Sequence, residues 1–243
     1  MDKRLSFLLL TFFFAFGAKA QEKNIDTTAV LILDRMGAVF GDLKSVGFTS
    51  EVSKDVAYSD DFYIKVFSKS EVIIKGPNKF SVRHHGEKNE DIYSYDGSQV
   101  TYFSFANNIY AVADAPDNLI ETIDYLYEDF GIELTTADFL YPNFSKDFVD
   151  QMDEVLYLGV AQINGKRALH VMGSNDSISA QIWVSDDAYF LPMKIVITYL
   201  SEGVAHQHQT DFSDWALNMD YPDSIFEFLP PPNARQITWL KQN

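Results

Sequence analysis

Residues 75–113, KGPNKFSVRHHGEKNEDIYSYDGSQVTYFSFANNIYAVA, alternate apolar and polar side chains. Turn formers break the run at Gly76-Pro77, His85-Gly86, Asp96-Gly97 and Asn107-Asn108. Strand side chains point to opposite faces in turn, so a period of two predicts three or four consecutive antiparallel strands here. No nucleophile elbow, phosphate loop or metal signature interrupts them. The same alternation predicts long strands upstream. In 48–58 the residues Phe48, Val52, Val56 and Tyr58 share a face with Ser50 and Lys54. Phe62, Ile64, Val66, Val72 and Ile74 continue the pattern, with Ser68 and Ser70 on the same face. Strands longer than the usual ~5–6 residues twist strongly and favour a curved sheet or barrel over a flat sandwich.

Two segments switch period. Ala29, Leu33, Met36, Phe40 and Leu43 recur at three- and four-residue steps, which predicts an opening helix capped by Asp26 or Thr27. Between 116 and 152 a helical insert is expected. Its first helix starts at Pro116-Asp117, carries Leu119, Ile123, Leu126 and Phe130 on one side, and ends at Gly131. Shorter helices are expected over 135–141, before Pro142, and over 145–152. The strand period then returns over 155–163, 167–172, 178–185, 191–200 and 204–215, with hairpin turns at Asn164-Gly165 and Glu202-Gly203. Residues 226–232 read as an extended strand that prolines terminate. The fold class is α+β: one strongly curved antiparallel sheet with an N-terminal helix and a helical lid, in a single domain over 21–243.

The first twenty residues predict export. Lys3 and Arg4 precede an apolar core over 5–16, and Ala18-Lys19-Ala20 supplies the small residues of a cleavage site. Residues 1–20 therefore read as a signal peptide, with Gln21 opening the mature chain and a periplasmic location in a Gram-negative-type bacterium. No later apolar run is long enough to span a bilayer. The chain has no Cys, so disulfides and thiolate metal sites are excluded. Of the net charge of −16, the signal region holds +2. So acidic a mature chain is a poor partner for nucleic acid. Twelve acids against one base, Lys146, lie between 114 and 154. They form a solvated helical face or, alternatively, a dock for a basic protein partner.

Several stretches together carry a family resemblance. They are the opening helix with Met36, the strand start at 77–80, Tyr95-Asp96-Gly97 followed by Val100-Thr101, and Tyr110. Thr136-Ala137-Asp138-Phe139-Leu140-Tyr141 in the insert, and Phe228 with Pro230-Pro231, complete the set. The chain resembles the half-open barrel of bacterial periplasmic lipoprotein carriers such as LolA and LolB. Within that group it looks closest to a family of predicted periplasmic proteins of unassigned function. The resemblance covers nearly the whole mature chain. It implies a curved sheet around an apolar cavity with helices as a lid. One departure stands out: the carriers keep an Arg immediately before the strand Pro, where this chain has Gly76 with Lys75 beside it.

The function expected is a non-enzymatic carrier holding a lipid, an acyl chain or a lipidated protein, with no cofactor. Several strands are apolar on both faces, and the chain carries 20 Phe and 13 Tyr. The expected cavity residues are Tyr102, Leu119, Ile123, Leu126, Phe130, Ile195, Ile197 and Tyr199. The alternative is a metal-dependent envelope enzyme. His206 and His208 project from one face of a strand and, with His170 or a carboxylate, have ligand spacing. Solvent-facing histidines are the plainer reading, and no metal site is expected. His84 and His85 point to opposite faces. The acid pairs Asp60-Asp61 and Asp186-Asp187 flank turns, where capping is their ordinary role. No Gly-x-Ser-x-Gly is present.

Overall fold

The computed structural model describes residues 23–59, 62–132, 134, 138–200 and 205–241. The signal segment, Asp60-Asp61, the start of the second insert helix at 135–137 and the Glu202-Gly203 turn lie outside these residues. The chain opens with β1 (Asn24–Ile25) and α1 (Thr27–Asp42). Six strands follow: β2 (Ser45–Ser59), β3 (Phe62–Lys75), β4 (Lys79–Gly86), β5 (Glu90–Tyr95), β6 (Gln99–Ser104) and β7 (Ile109–Asp114). The insert contains α2 (Leu119–Phe130), a 3-10 turn at Asp138–Leu140 and α3 (Phe144–Gln151). Then come β8 (Glu154–Ile163), β9 (Lys166–Ser174), β10 (Ile178–Ser185), β11 (Pro192–Tyr199), β12 (His206–Leu217) and β13 (Arg235–Gln236).

Among the described residues all thirteen strands join one curved sheet, in the order β1-β8-β9-β10-β11-β12-β2-β3-β4-β5-β6-β7-β13. Its ends do not meet, so the barrel stays open. Neighbours pair antiparallel except at the two rims, where β1 and β13 run parallel to β8 and β7. The expected strongly curved antiparallel sheet, with an N-terminal helix and a helical insert, is the fold observed.

Helix α1 begins where Asp26 accepts the Thr28 amide at 2.7 Å. Its Ala29, Leu33 and Met36 are fully buried, and Ile32 joins them from between the expected positions. The helix packs on β8, β9, α3 and the 3-10 turn. Close approach there depends on Gly173 of β9. A Cβ at that position would stand 2.6 Å from the Phe148 ring and 2.9 Å from Met152, so only glycine admits α3.

The end of the chain differs from expectation. Residues 226–229 form no strand: a 3-10 turn at Asp223–Ile225 buries Phe226, and Phe228 packs on Phe103 and Tyr110. Pairing comes later, at β13, where the sheet rim offers the free edge of β7. Lys75, next to the departure at Gly76, salt-bridges Asp223 at 2.8 Å and so holds this C-terminal segment.

Candidate functional site

Between the concave face of β2–β5 and the insert lies a cavity of about 390 Å³. That is within the ~300–1,000 Å³ typical of small-molecule sites. Directly opposed residues of antiparallel strands face the same side, so the register sorts the floor into rows. The deepest row is Val46, Ile74, Phe80, Tyr95 and Val100, all buried. The second is Phe48, Val72, Val82, Tyr93 and Tyr102. The third is polar throughout: Ser50, Ser70, His84, Asp91 and Ser104. Val52 and Ser68 lie beyond it, and Lys54 stands further out.

The polar row is knit together. Ser70 Oγ and His84 Nδ1 are 3.2 Å apart. Asp91 is buried and accepts hydrogen bonds from the Tyr102 hydroxyl at 3.0 Å and from the Asn89 amide. Burial holds His84 below the ordinary imidazole pKa, while the nearby Asp91 charge pulls it upward. Burial also pushes the Tyr93 phenol well above its usual range, so it stays a neutral wall.

The insert supplies the roof through Leu119 and Ile123 of α2, then Ile132, Leu134 and Leu140. Its position is fixed at both ends. Asn118 accepts the amides of Ile120 and Glu121 at 2.9 and 3.2 Å, the Tyr95 hydroxyl donates to the Pro116 carbonyl, and Asn78 donates to the Asp117 carbonyl at 3.2 Å. Gly131 ends the helix at φ 66°, a left-handed conformation that glycine adopts without a Cβ penalty. Beside the roof, residues 235–241 form a strap along the β7 rim. Trp239 lies 4.7 Å from the Phe130 ring and 6.0 Å from the Tyr102 ring, and Lys241 pairs with Asp129.

The expected cavity residues separate under this geometry. Leu119 and Ile123 line the cavity. Leu126, on the same stripe, is fully buried in the core, and Phe130 faces Trp239. Tyr102 lies on the concave face next to the cavity lining, its ring beside Tyr93 and its hydroxyl on Asp91. Ile195, Ile197 and Tyr199 pair with Thr210, His208 and His206, which places them on the concave face beside the cavity wall. His208 lines the cavity, whereas His206 stacks on Tyr63 and Tyr199 at 4.9 and 4.8 Å. His170 stacks on Trp183, and burial lowers its pKa. Among the described residues no group of three metal-ligating side chains comes together. Asp186 salt-bridges Arg167 at 2.7 Å, and Asp187 accepts the Tyr189 amide at 2.9 Å. The polar row and Trp239 are not among the residues the sequence singles out for the site. Ser50 and Ser70 stand in it as polar breaks on an apolar face, but their alignment across strands does not.

An open antiparallel sheet cups a helix-roofed cavity. The family model described as predicted periplasmic protein, DUF2092, matches residues 29–240, and the chain belongs to that family. Among the described residues no helix is long and apolar enough to cross a membrane. No curated protein matches the chain. Several solved structures are similar to it at low identity. An uncharacterized conserved protein from Thermus thermophilus is 12% identical, covering 87% of this chain and 99% of that one, with a TM-score of 0.46. The lipoprotein LppX from Mycobacterium tuberculosis is 11% identical, with 81% and 98% covered and a TM-score of 0.39. A LolA superfamily protein from Nitrosomonas europaea is 16% identical, with 82% and 97% covered and a TM-score of 0.36.

Proposed function

We propose that this chain is a non-enzymatic periplasmic holder of acyl chains, free or attached to a lipid or lipidated protein. The observation that carries the reading is the cavity itself, floored by two apolar rows and roofed by Leu119 and Ile123. Each methylene that leaves water for such a surface contributes about 0.8 kcal/mol, so a long chain binds well without a charged contact. The exposed acids of α2, Glu121 and Asp124, keep the roof soluble while its other face meets the ligand. The chain reaches its compartment by export and cleavage after Ala20, so N-terminal sequencing of the exported protein should start at Gln21. An intact Met1 in the membrane fraction would contradict this.

An uncharged apolar dye, N-phenyl-1-naphthylamine, tests the cavity. Wild-type protein should bind it with enhanced fluorescence, Val82→Glu and Ile123→Glu should abolish binding, and Glu121→Gln should leave it unchanged. Native mass spectrometry of protein from its own periplasm should show co-purifying lipid. If wild-type protein binds no apolar probe and carries no lipid, the carrier reading fails.

A further inference from the structure

We infer that the cavity selects amphiphiles with an anionic head group, a carboxylate or a phosphate, held at Ser50 and Lys54. This rests on the carrier reading and adds the head group to it. Of the charged side chains on β2–β5, the register turns only Lys54 and Asp91 toward the concave face. Glu51, Asp55, Lys65, Arg83 and Glu90 alternate to the other side. The two concave charges are not equivalent. Asp91 is buried and already accepts from Tyr102 and Asn89, so its charge is answered from within the protein. Lys54 is exposed at the cavity wall and forms no ion pair among the described residues.

A second, independent observation lies four residues away on the same face of β2. Ser50 borders the cavity at 1% exposure, and its buried Oγ has no hydrogen-bond partner among the described residues. A buried hydroxyl left unpaired is destabilising, and a ligand oxygen reaching it would recover that cost. The polar row is otherwise satisfied, Ser70 by His84 and Asp91 by its two donors. Among the described residues its open valence therefore sits at the β2 end, four residues inward of Lys54, the one concave lysine or arginine of β2–β5. The apolar rows lie inward of Ser50 and Lys54 lies outward, so a single amphiphile fits in one direction: chain beneath α2, head at the mouth.

The test compares cis-parinaric acid with its uncharged methyl ester by fluorescence titration. Wild-type protein should bind the acid about tenfold more tightly, as expected for one hydrogen bond to a charged group worth ~1.5 kcal/mol. Lys54→Met should remove that preference by weakening the acid alone, and Ser50→Ala should reduce it in the same sense. Lys54 is exposed, so its replacement leaves the fold intact. A phosphate-headed single-chain lipid used as competitor separates the two head groups: displacement of the acid by the phosphate lipid extends the site to phosphates, and its failure restricts the site to carboxylates. Equal binding of acid and ester by the wild-type protein overturns the head-group site while the carrier reading stands. So does a Lys54→Met loss that is equal for both probes. If neither probe binds, both readings fall.

Discussion

The two halves of the sheet face the same side and are covered by helices, yet one is solid and the other hollow. Over β8 and β9, α1 and α3 sit directly on the strands. Leu33 and Met36 are fully buried, and Gly173 gives up its side chain so that Phe148 can touch the backbone. Over β2–β5, α2 stands off. Only Leu119 and Ile123 of its stripe reach the space below, and the floor there carries serines and a histidine instead of filling side chains. Close packing is the default for protein interiors, so a half left unfilled across several aligned positions is what the carrier proposal rests on.

The sharpest way to break this contrast is a matched pair of truncations. Leu33→Ala in the solid half should cost about 2–5 kcal/mol in chemical denaturation, because a full set of contacts is lost and a void is left. Leu119→Ala in the hollow half removes the same atoms from a wall that already borders empty space, and should cost about 1 kcal/mol or less. Equal losses would mean that the halves are packed alike.

The next effect is smaller. Trp239→Ala removes the ring packed between Phe130 and the Tyr93–Tyr102 pair, with loss of aromatic contacts worth about 0.5–1.5 kcal/mol. It should speed release of a bound apolar probe in stopped-flow dilution. An unchanged release rate would show that the strap does not steady the roof.

The smallest effect is a pH dependence. His84 is held below its ordinary pKa of about 6.5 in the folded chain. Between those two values the unfolded state binds more protons, so stability should fall as pH drops through that window and level off below the folded value. His85 and Lys54 reinforce the depression, and Asp91 opposes it. His170, packed on Trp183, contributes with the same sign. The lowered carboxylates Asp26, Asp55, Asp96 and Asp223 act in a separate window, losing their contribution only below about pH 3.8. His84→Gln should flatten part of the slope seen in denaturation midpoints near pH 6. Loading the cavity should alter the His84 step and leave that of His170, and a ligand that shifts neither would sit elsewhere.

What is legible in the sequence follows from how local each signal is. The period of two across 75–113, the stripe of α1 and the stop at Gly131 are written within a few residues, and the structure shows each. The polar row is different. Ser50, Ser70, His84 and Asp91 come from four strands, and a shift of one residue in any pairing would turn that strand's members to the other face. Trp239 has no periodic signal at all, since its partner Phe130 lies more than a hundred residues away. The stripe of α2 is legible as one apolar side. Its division into cavity, core and strap contacts depends on what each turn of the helix meets.

The three tryptophans fall on opposite sides of this arrangement. Trp215 stacks on Phe48 at 4.7 Å, and Phe48 lines the cavity. Trp239 borders the roof through Phe130. Trp183 pairs in register with Lys194 and stacks on His170 at 4.2 Å, on the face turned away. The molecule thus carries its own optical gauge. A brominated acyl chain entering the cup would dim the indole emission of Trp215 and Trp239 and leave Trp183 glowing as an internal standard.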